Sequence, residues 1–451
     1  MEDGRIVRAG RPEEILPSGP VPLPADQPTS APIPVAPANP HRPEEFPVRP
    51  ADADLAARDP ALPGLPVLLD EQVLAGWLAG HGLGAARRRY LRYKPGTSCV
   101  LGLELCTGDG PLPAVLSAWS ENSAPKLGKT RIQAPRGTVL AADERCHLLL
   151  TTGEADRDLP AIAALTGPDG PAVVLGPLLP GWPLSAATIQ VLRYKPARRW
   201  VGVLAAAGRE PVLLRVHRPA VTADLVSALT AFGTARVRTP GLVAANISMG
   251  LTIMEWLPGQ ALSDVPVGDR GQHLRTTGRV LAQLHQHPAP GLRRRPAGTA
   301  AESTRAGAAL VAQLLPAQAD RARDLAHAIG AQLRPPPGLR VCHGDFSADQ
   351  VVVGPTGPAL ADLDEVALDD PAVDLASMTA GARLDEAGHD SDVGPVLAGY
   401  ATIRALPPAR QLAAHTAAAL LRRAPEPFRL ADPSWEEGVV HALDAAEKAL
   451  S

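Results

Sequence analysis

The residues that say most about this chain are His343-Gly344-Asp345-Phe346-Ser347-Ala348-Asp349-Gln350, followed by Ala361-Asp362-Leu363-Asp364. Apolar residues precede the first segment, and strand-like residues frame the turn between the two. Phosphoryl transfer needs this combination: a carboxylate that accepts a hydroxyl proton, and oxygen ligands that hold Mg²⁺ on a nucleotide. The candidate catalytic residues are Asp345 and His343, and the candidate metal ligands are Gln350 and Asp362.

Each of these residues alone also has an ordinary structural explanation. Asp345 can cap a helix or close an Asx turn, Gln350 can lie at the surface, and Asp362 can be solvated. Their order and spacing together favour the phosphotransfer interpretation.

Composition limits the classes of function. The 451 residues are 45% hydrophobic and can form two or three domains, and the net charge of −3 gives no case for nucleic acid as a partner. The four cysteines are scattered, which predicts neither a zinc site nor a disulfide framework. No apolar run reaches the roughly 18 residues of a membrane span, and no signal pattern is visible, so we expect a cytoplasmic protein.

The composition of the N-terminal region indicates an extension rather than a folded domain. Residues 17–60 are rich in proline, alanine and acidic residues, which favours disorder, and we predict a disordered extension over 1–60. Residues 1–16 resemble the last strand-turn-helix of an ABC-transporter ATPase domain, without a phosphate-binding loop. The alternatives are a fusion remnant, a start codon inside an upstream reading frame with an ABC transporter gene nearby, or a chance match.

A repeat follows this extension. Leu91-Arg92-Tyr93-Lys94-Pro95 recurs 101 residues later as Leu192-Arg193-Tyr194-Lys195-Pro196. Each copy leads into a strand-like run, a turn and a second apolar run. The period is too long for a solenoid, so a duplicated β-hairpin subdomain explains it better.

The pattern changes along the rest of the chain. Residues 211–217 and 251–257 read as strands, 222–233 and 278–285 read as helices, and the region after about 270 is mainly helical. The predicted fold class is therefore α+β, with a small β-rich lobe before a larger helical lobe. The predicted segments are 1–60 as the extension, 61–185 as an extra β-containing subdomain with the first repeat copy, 186–262 as the N-lobe, and 263–451 as the helical C-lobe.

The central motif resembles the aminoglycoside phosphotransferase and choline kinase family of protein-kinase-like enzymes, whose signature reads HGDxxxxN and then IDWxxxxxGDPxxDLA. This chain has HGDFSADQ and then Ala361 to Ala376. The resemblance implies a two-lobed protein-kinase-like fold, with Asp345 as the base and Gln350 and Asp362 on the metal. It implies that Asp370 and Asp374 hold the loop and the next helix. The repeat suggests an actinobacterial-type branch of the family.

The nucleotide-binding residues implied by the resemblance include one departure. The strand lysine of the family is replaced by Arg215, which can grip phosphate in bidentate fashion but has a different shape. Lys195 is a possible substitute, although its place in a repeated hairpin also fits a structural role. Asp224 is the candidate acid partner of the strand cation. The adenine would bind near Glu255 and Leu257.

The predicted function is thus transfer of the γ-phosphate of ATP, with Mg²⁺, to a hydroxyl of a small molecule. The alternatives are a degenerate kinase that only binds nucleotide or regulates, and a kinase that acts on a peptide or protein. The acidic group Asp364, Glu365, Asp369 and Asp370 suggests attraction for a cationic acceptor.

Overall fold

The computed structural model describes residues 6–8 and 50–451, except 109, 168, 233–236, 289–290, 337 and 385–392. Most of the predicted extension, and most of the ABC-like segment, lies outside these residues. Within the described residues, no helix is both long enough and apolar enough to cross a membrane.

The N-terminal part forms a five-stranded antiparallel sheet with small helices before it. The chain begins with β1 (Ile6–Arg8), which belongs to the second sheet. The elements of the N-terminal part are α1 (Pro50–Arg58), α2 (Leu65–Leu69), α3 (Glu71–Gly80), β2 (Ala86–Lys94), β3 (Ser98–Thr107), β4 (Gly110–Trp119), α4 (Pro125–Gln133), β5 (Val139–Asp143) and β6 (Leu148–Thr152). The strand order is β2-β3-β4-β6-β5. We call strands β2 to β6 the first β-module.

A second sheet follows with the same plan. Its elements are α5 (Ala161–Thr166), α6 (Gly170–Leu175), β7 (Thr188–Lys195), β8 (Arg199–Ala205), β9 (Val212–His217), α7 (Pro219–Phe232), β10 (Leu242–Asn246) and β11 (Leu251–Glu255). Strands β7 to β11, the second β-module, have the order β7-β8-β9-β11-β10, and β1 pairs with the outer edge of β10. The strands expected at 211–217 and 251–257 correspond to β9 and β11.

The remainder is mainly helical, and we call it the helical lobe. Its elements are β12 (Gln260–Ala261), α8 (Val267–Leu284), α9 (Thr299–Leu314), α10 (Ala319–Gln332), β13 (Arg340–Cys342), β14 (Val351–Gly354), β15 (Gly357–Leu360), β16 (Ala367–Asp369), α11 (Ala372–Leu384), α12 (Gly394–Ala401), α13 (Ala409–Arg423), α14 (Glu426–Arg429) and α15 (Trp435–Leu450).

The two β-modules share one local lock, which accounts for the repeated sequence. In the first, Asp59 accepts hydrogen bonds from the Tyr93 hydroxyl at 2.7 Å and from the Gly96 amide at 2.8 Å. In the second, Asp156 accepts from Tyr194 at 2.9 Å and from the Ala197 amide at 2.7 Å. Each aspartate thus fixes the tyrosine of the repeat and the turn after it.

The modules also match at the turn between their last two strands. The Asp143 side chain accepts from the amide of Cys146, and the Asn246 side chain accepts from the amide of Met249. In each module a residue with positive φ then leads into the last strand, His147 at 50° in one and Gly250 at 72° in the other.

The pairing registers define which positions correspond between the modules. Each repeat ends in a hairpin that pairs Lys94 with Ser98 in the first module and Lys195 with Arg199 in the second. Continuing along the strands gives three counterpart pairs: Ser98 with Arg199, Ser117 with Arg215, and Trp119 with His217. The first module therefore has two serines and a tryptophan at the three positions where the second has two arginines and a histidine.

The first β-module packs on the helical lobe. One apolar core joins Leu101 and Leu116 of its sheet to Val311, Leu420 and Leu443 of the helices α9, α13 and α15. Separate cores lie under the second β-module and around the catalytic segment.

The predicted extension 1–60 is too long at its C-terminal end. Helix α1 begins at Pro50 and buries Leu55, and its Asp52 accepts a hydrogen bond from the Trp435 indole at 3.0 Å. Arg58 donates to Gln313 O at 2.9 Å. These contacts span hundreds of residues, so local composition gave no sign of them.

We expect the aspartate locks to stabilise the fold. Asp59→Ala or Asp156→Ala leaves a tyrosine hydroxyl and a backbone amide without their acceptor, at a cost of about 1–3 kcal/mol for each variant. The unfolding midpoint in urea should fall clearly in both variants. Asp54→Ala and Asp158→Ala, which remove exposed carboxylates nearby, are the controls. Equal midpoints in variants and controls would refute the lock.

Candidate active site

The loop that carries Asp345 connects β13 to the hairpin β14–β15, and Asp362 follows that hairpin. Gly344 has a φ of 88°, and a Cβ at this position would lie 2.4 Å from Glu365 O, so glycine is required. Asp362 itself has a φ of 55°, an unusual conformation for a non-glycine residue. The two predicted carboxylates are therefore presented by tightly constrained turns.

Asp374 holds the catalytic loop from below. Its carboxylate is fully buried and accepts from the amides of His343 at 2.7 Å and Gly344 at 2.8 Å, and from His285 Nε2 at 3.0 Å. Burial works against ionisation, but these hydrogen bonds, that of His285 first, lower the pKa of Asp374. Asp374 thus holds the loop, as the resemblance implied.

Asp370 holds the start of the next helix. It accepts from the Ala372 amide at 2.8 Å and from Gln411 Nε2 at 2.8 Å, and it lies 3.3 Å from His415 Nε2. The contact ties α11 to α13.

His343 has a different place from the one predicted for a catalytic group. It is fully buried, and its Nε2 donates to Ala361 O at 2.7 Å. This bond joins the loop of Asp345 to the residue before Asp362. A buried imidazole bonded to a backbone carbonyl orients the loop, so the geometry corresponds to a positioning residue rather than to proton transfer.

Asp345 is half exposed, with 49% of its side chain accessible, and two arginines from the end of α13 contact it. Arg423 Nη2 lies 3.2 Å and Arg422 Nη2 lies 3.6 Å from Asp345 Oδ1. Arg423 also donates to Ser377 Oγ at 2.9 Å. Sequence reasoning missed both arginines, because nothing local distinguishes them from other arginines on helices.

The strongest electrostatic feature joins the second β-module to the helical lobe. Arg215 Nη2 lies 2.7 Å from both Asp362 Oδ1 and Asp364 Oδ2. Arg199 Nη1 lies 2.7 Å from Asp362 Oδ2, and His217 Nε2 lies 3.0 Å from Asp364 Oδ2. The three residues missing from the first β-module thus meet both aspartates after the β14–β15 hairpin.

These contacts fix the charge states of the cluster. Burial alone would raise the pKa of Asp362, but Arg215 and then Arg199 lower it well below its usual range. Burial opposes the charge on Arg215, yet Asp364 and Asp362 raise its pKa. Asp362 and Arg215 are consequently both ionised.

The cluster retains unused binding capacity. Among the described residues, no hydrogen-bond partner meets the buried Nε atoms of Arg199 and Arg215 or the buried Oδ1 of Asp364. Two orphaned donors suit an anion such as phosphate, and a free carboxylate oxygen beside Asp362 suits a hard cation such as Mg²⁺. The residues present therefore fit both groups.

Gln350 lies at the edge of this region. Its backbone oxygen accepts from the Ala361 amide at 2.9 Å, and its Nε2 donates to Asp349 Oδ2 at 2.9 Å. The side-chain nitrogen is thus held by Asp349, which leaves the amide oxygen as the atom for a cation.

Lys195 faces the first β-module. Its ammonium lies over the Tyr90 ring, 5.2 Å from the ring centroid, and burial followed by repulsion from Arg193 and Arg199 lowers its pKa to about 8. This position matches the structural alternative for Lys195.

The other predicted nucleotide residues lie at the end of β11. Glu255 is paired with Arg238 at 2.7 Å and accepts from the Gly241 amide, and Leu257 is nearly buried. Asp224 is exposed on α7. The suggestion that Asp224 pairs with the strand cation is wrong, since Arg215 pairs with Asp362 and Asp364 instead.

The acidic group near the site has counter-charges. Asp369 pairs with Arg295 at 2.8 Å, and Glu365 lies 3.4 Å from both Arg293 and Arg295. Asp364 and Asp370 have the partners described above. The suggested attraction for a cationic acceptor therefore loses its basis, because Asp364, Glu365 and Asp369 already face arginines and Asp370 already has hydrogen-bond partners.

One group of clustered metal-type ligands is found among the described residues: His285, Cys342 and Asp374. All three are buried, and Asp374 is already occupied by His285 and two backbone amides. This group is a structural network.

Comparison with known proteins gives a family match for part of the chain. Residues 191–413 match the sequence profile of a family described as "Phosphotransferase enzyme family". The match begins in β7, so the first β-module lies outside it. The predicted α+β fold and the predicted phosphotransferase class are confirmed, and the match over residues 191–413 agrees with the predicted family.

The solved structures that are similar to this chain include enzymes named as phosphotransferases and kinases. A macrolide 2′-phosphotransferase from Brachybacterium faecium is 18% identical, with a TM-score of 0.42, covering 61% of this chain and 98% of that one. A choline kinase from Cryptosporidium parvum Iowa II is 10% identical, with a TM-score of 0.46, covering 61% and 93%. A choline/ethanolamine kinase family protein from Mesorhizobium loti is 15% identical, with a TM-score of 0.46, covering 61% and 91%. No curated protein sequence matches the chain.

The ionised Asp362 should make stability depend on pH. Because the pKa of Asp362 is lower in the folded state than its unfolded value of about 3.9, its contribution is present above that pH and is lost as the pH falls. The difference in unfolding free energy between wild type and Asp362→Asn should shrink by about 1 kcal/mol from about pH 7 to about pH 3. Denaturant titrations at both pH values test this, and a constant difference would contradict it.

Proposed function

We propose that this protein transfers the γ-phosphate of ATP to a hydroxyl of a small molecule. One observation carries the proposal: Arg199 and Arg215 meet Asp362 at a cluster with free binding atoms, and His343 links that cluster to the loop of Asp345. Phosphoryl transfer relies mainly on positioning and on charge neutralisation, which such a cluster provides.

In this proposal, Asp345 accepts the proton of the acceptor hydroxyl. It is half exposed, as a group that meets a second substrate must be, and Arg422 and Arg423 orient its carboxylate. His343 and Asp374 act through the loop backbone and do not meet the reacting atoms.

The phosphates of ATP would bind at the guanidinium groups of Arg215 and Arg199. Both have a buried Nε without a partner among the described residues. Arginine in place of a lysine offers a planar, bidentate grip, so the replacement of the strand lysine is compatible with nucleotide binding. The adenine would lie at the backbone between Glu255 and Leu257.

Asp362 and Gln350 would hold Mg²⁺, with the free oxygen of Asp364 as a further ligand. When bound, the ion neutralises charge on the phosphates. Carboxylate and amide oxygens are ligands that Mg²⁺ accepts.

We also propose that the first β-module is a duplicated N-lobe that has lost nucleotide binding. The matched strand order, aspartate lock and turn support the duplication. Ser98, Ser117 and Trp119, at the positions that correspond to Arg199, Arg215 and His217, support the loss. The chain would accordingly bind one nucleotide.

The first β-module instead supports the turn between β7 and β8, which is followed by Arg199. A Cβ built on Gly102 would lie 3.0 Å from the Pro196 ring, and Tyr90 lies under Lys195. Both contacts fall on the β7–β8 turn, which leads directly into Arg199, one of the two arginines proposed to bind the phosphates. The module would thus restrict how this turn moves.

A second candidate function is a nucleotide-binding module without catalysis. The observation in its favour is that Arg199 and Arg215 occupy both oxygens of Asp362. Thermal stabilisation by ATP and Mg²⁺, without turnover over a broad acceptor panel, would support it. Activity gained in Arg215→Lys would show that the arginine is the cause.

Activity should depend on both carboxylates. In an ATP-consumption screen over sugars, amino alcohols, nucleosides and aminoglycosides, wild type should turn over at least one acceptor. Asp345→Asn should lower kcat by about 10²–10⁴-fold, because the base is lost, and Asp362→Ala should also lose activity. Asp324→Asn, an exposed change on α10, is the control. Equal turnover in all four proteins would refute these roles.

The contact at Gly102 should control the nucleotide affinity. Gly102→Val crowds Pro196 and displaces the β7–β8 turn, so we expect the KM for ATP to rise several-fold while the KM for the acceptor changes little. The double variant Gly102→Val/Pro196→Ala should recover wild-type values, because the crowded ring is gone. Gly76→Val, at a position with open space, is the control. An unchanged KM for ATP in Gly102→Val would contradict the support role.

A further inference from the structure

A large cavity lies at the N-terminal end of α13, and the proposed catalytic site does not use it. Its volume is about 1040 Å³, and its walls come from the end of α10, the turn before α11, the segment before α13 and the end of α15. None of the residues proposed to bind ATP, Mg²⁺ or the reacting hydroxyl lines it.

Four arginines give this cavity its character. Arg334 and Arg340 line one side, and Arg404 and Arg410 line the other. Among the residues that the structure describes, no ion pair involves any of the four, whereas Arg199, Arg215 and Arg295 are all paired. The side chains that line the cavity therefore include four arginines and one acidic residue, Asp370, so positive charge is in excess.

The acid in the wall does not cancel this charge. Asp370 lines the cavity but is nearly buried, and it already accepts from Gln411 Nε2 and from the Ala372 amide. The nearby His415 also faces it, 3.3 Å away, and lowers its pKa after burial has raised it. The first turn of α13, a helix of 15 residues, adds its free amides to the same wall.

We propose that this cavity binds a small molecule that carries phosphate groups. Four guanidinium groups without an ion-pair partner among the described residues surround one space, and Arg334 and Arg340 donate only to nearby backbone carbonyls. A guanidinium group can hold phosphate in bidentate fashion. The volume lies at the upper end of ordinary small-molecule sites, which hold about 300–1,000 Å³, so it has room for an organic phosphate and not only for a single inorganic ion.

The position of the cavity links it to the catalytic loop. Gln411 in its wall and Arg423 at Asp345 belong to the same helix, α13. The helix spans about 22 Å at about 1.5 Å per residue. A ligand bound at one end of α13 therefore contacts the element that orients Asp345 at the other.

Pyrophosphate is a suitable probe, and every protein in the comparison carries Arg199→Gln so that the proposed ATP site is weakened equally in all of them. We would titrate pyrophosphate calorimetrically into Arg199→Gln, and then into the same protein with Arg340→Gln and Arg410→Gln added. Saturable binding in the first and at least about ten-fold weaker binding in the second is the expected result. Arg199→Gln with Arg136→Gln and Arg145→Gln, which removes two exposed arginines of the first β-module, is the charge-matched control.

Two results would overturn the proposal: no saturable binding in Arg199→Gln, or equal weakening in the charge-matched control. Neither depends on catalysis, because ATP turnover is not measured. Failure of the proposed phosphotransferase function would appear instead in the acceptor screen.

Discussion

The ion-pair cluster of Arg199 and Arg215 with Asp362 and Asp364 is the constraint on which the arrangement of this site depends. Both arginines come from the second β-module, and both aspartates come from the segment after β15. A buried guanidinium is costly unless it is paired, so Arg215 requires these carboxylates at close range. The same requirement brings the β7–β8 hairpin over the catalytic loop and leaves two buried Nε donors for a ligand.

The two β-modules show how one scaffold can serve two purposes. Each is held by an aspartate that binds a tyrosine and a turn, and these contacts are independent of any ligand. Only the second module has Arg199, Arg215 and His217, which contact the two aspartates. In the first module, the corresponding residues Ser98, Ser117 and Trp119 carry no charge, and the sheet packs on α9 and α13 instead.

The sequence predicted the parts of the site that depend on short spacing, and it missed those that depend on distant contacts. Asp345 and Asp362 were recognisable because they lie in one compact motif. Arg199 meets Asp362 across 163 residues, and Arg423 meets Asp345 across 78, so no local pattern could indicate either pair. The repeated sequence predicted matching hairpins. Asp59 and Asp156, which bind the tyrosine of each repeat copy, lie outside the repeated five residues and were not predicted.

The most direct test of the account is a calorimetric titration with a non-hydrolysable ATP analogue, with and without Mg²⁺. We expect one nucleotide per chain, bound at least about ten-fold more tightly with Mg²⁺ than without it, and no such difference in Asp362→Asn. Absence of nucleotide binding, two nucleotides per chain, or the same Mg²⁺ dependence in Asp362→Asn would contradict the assignment of this cluster as the nucleotide site.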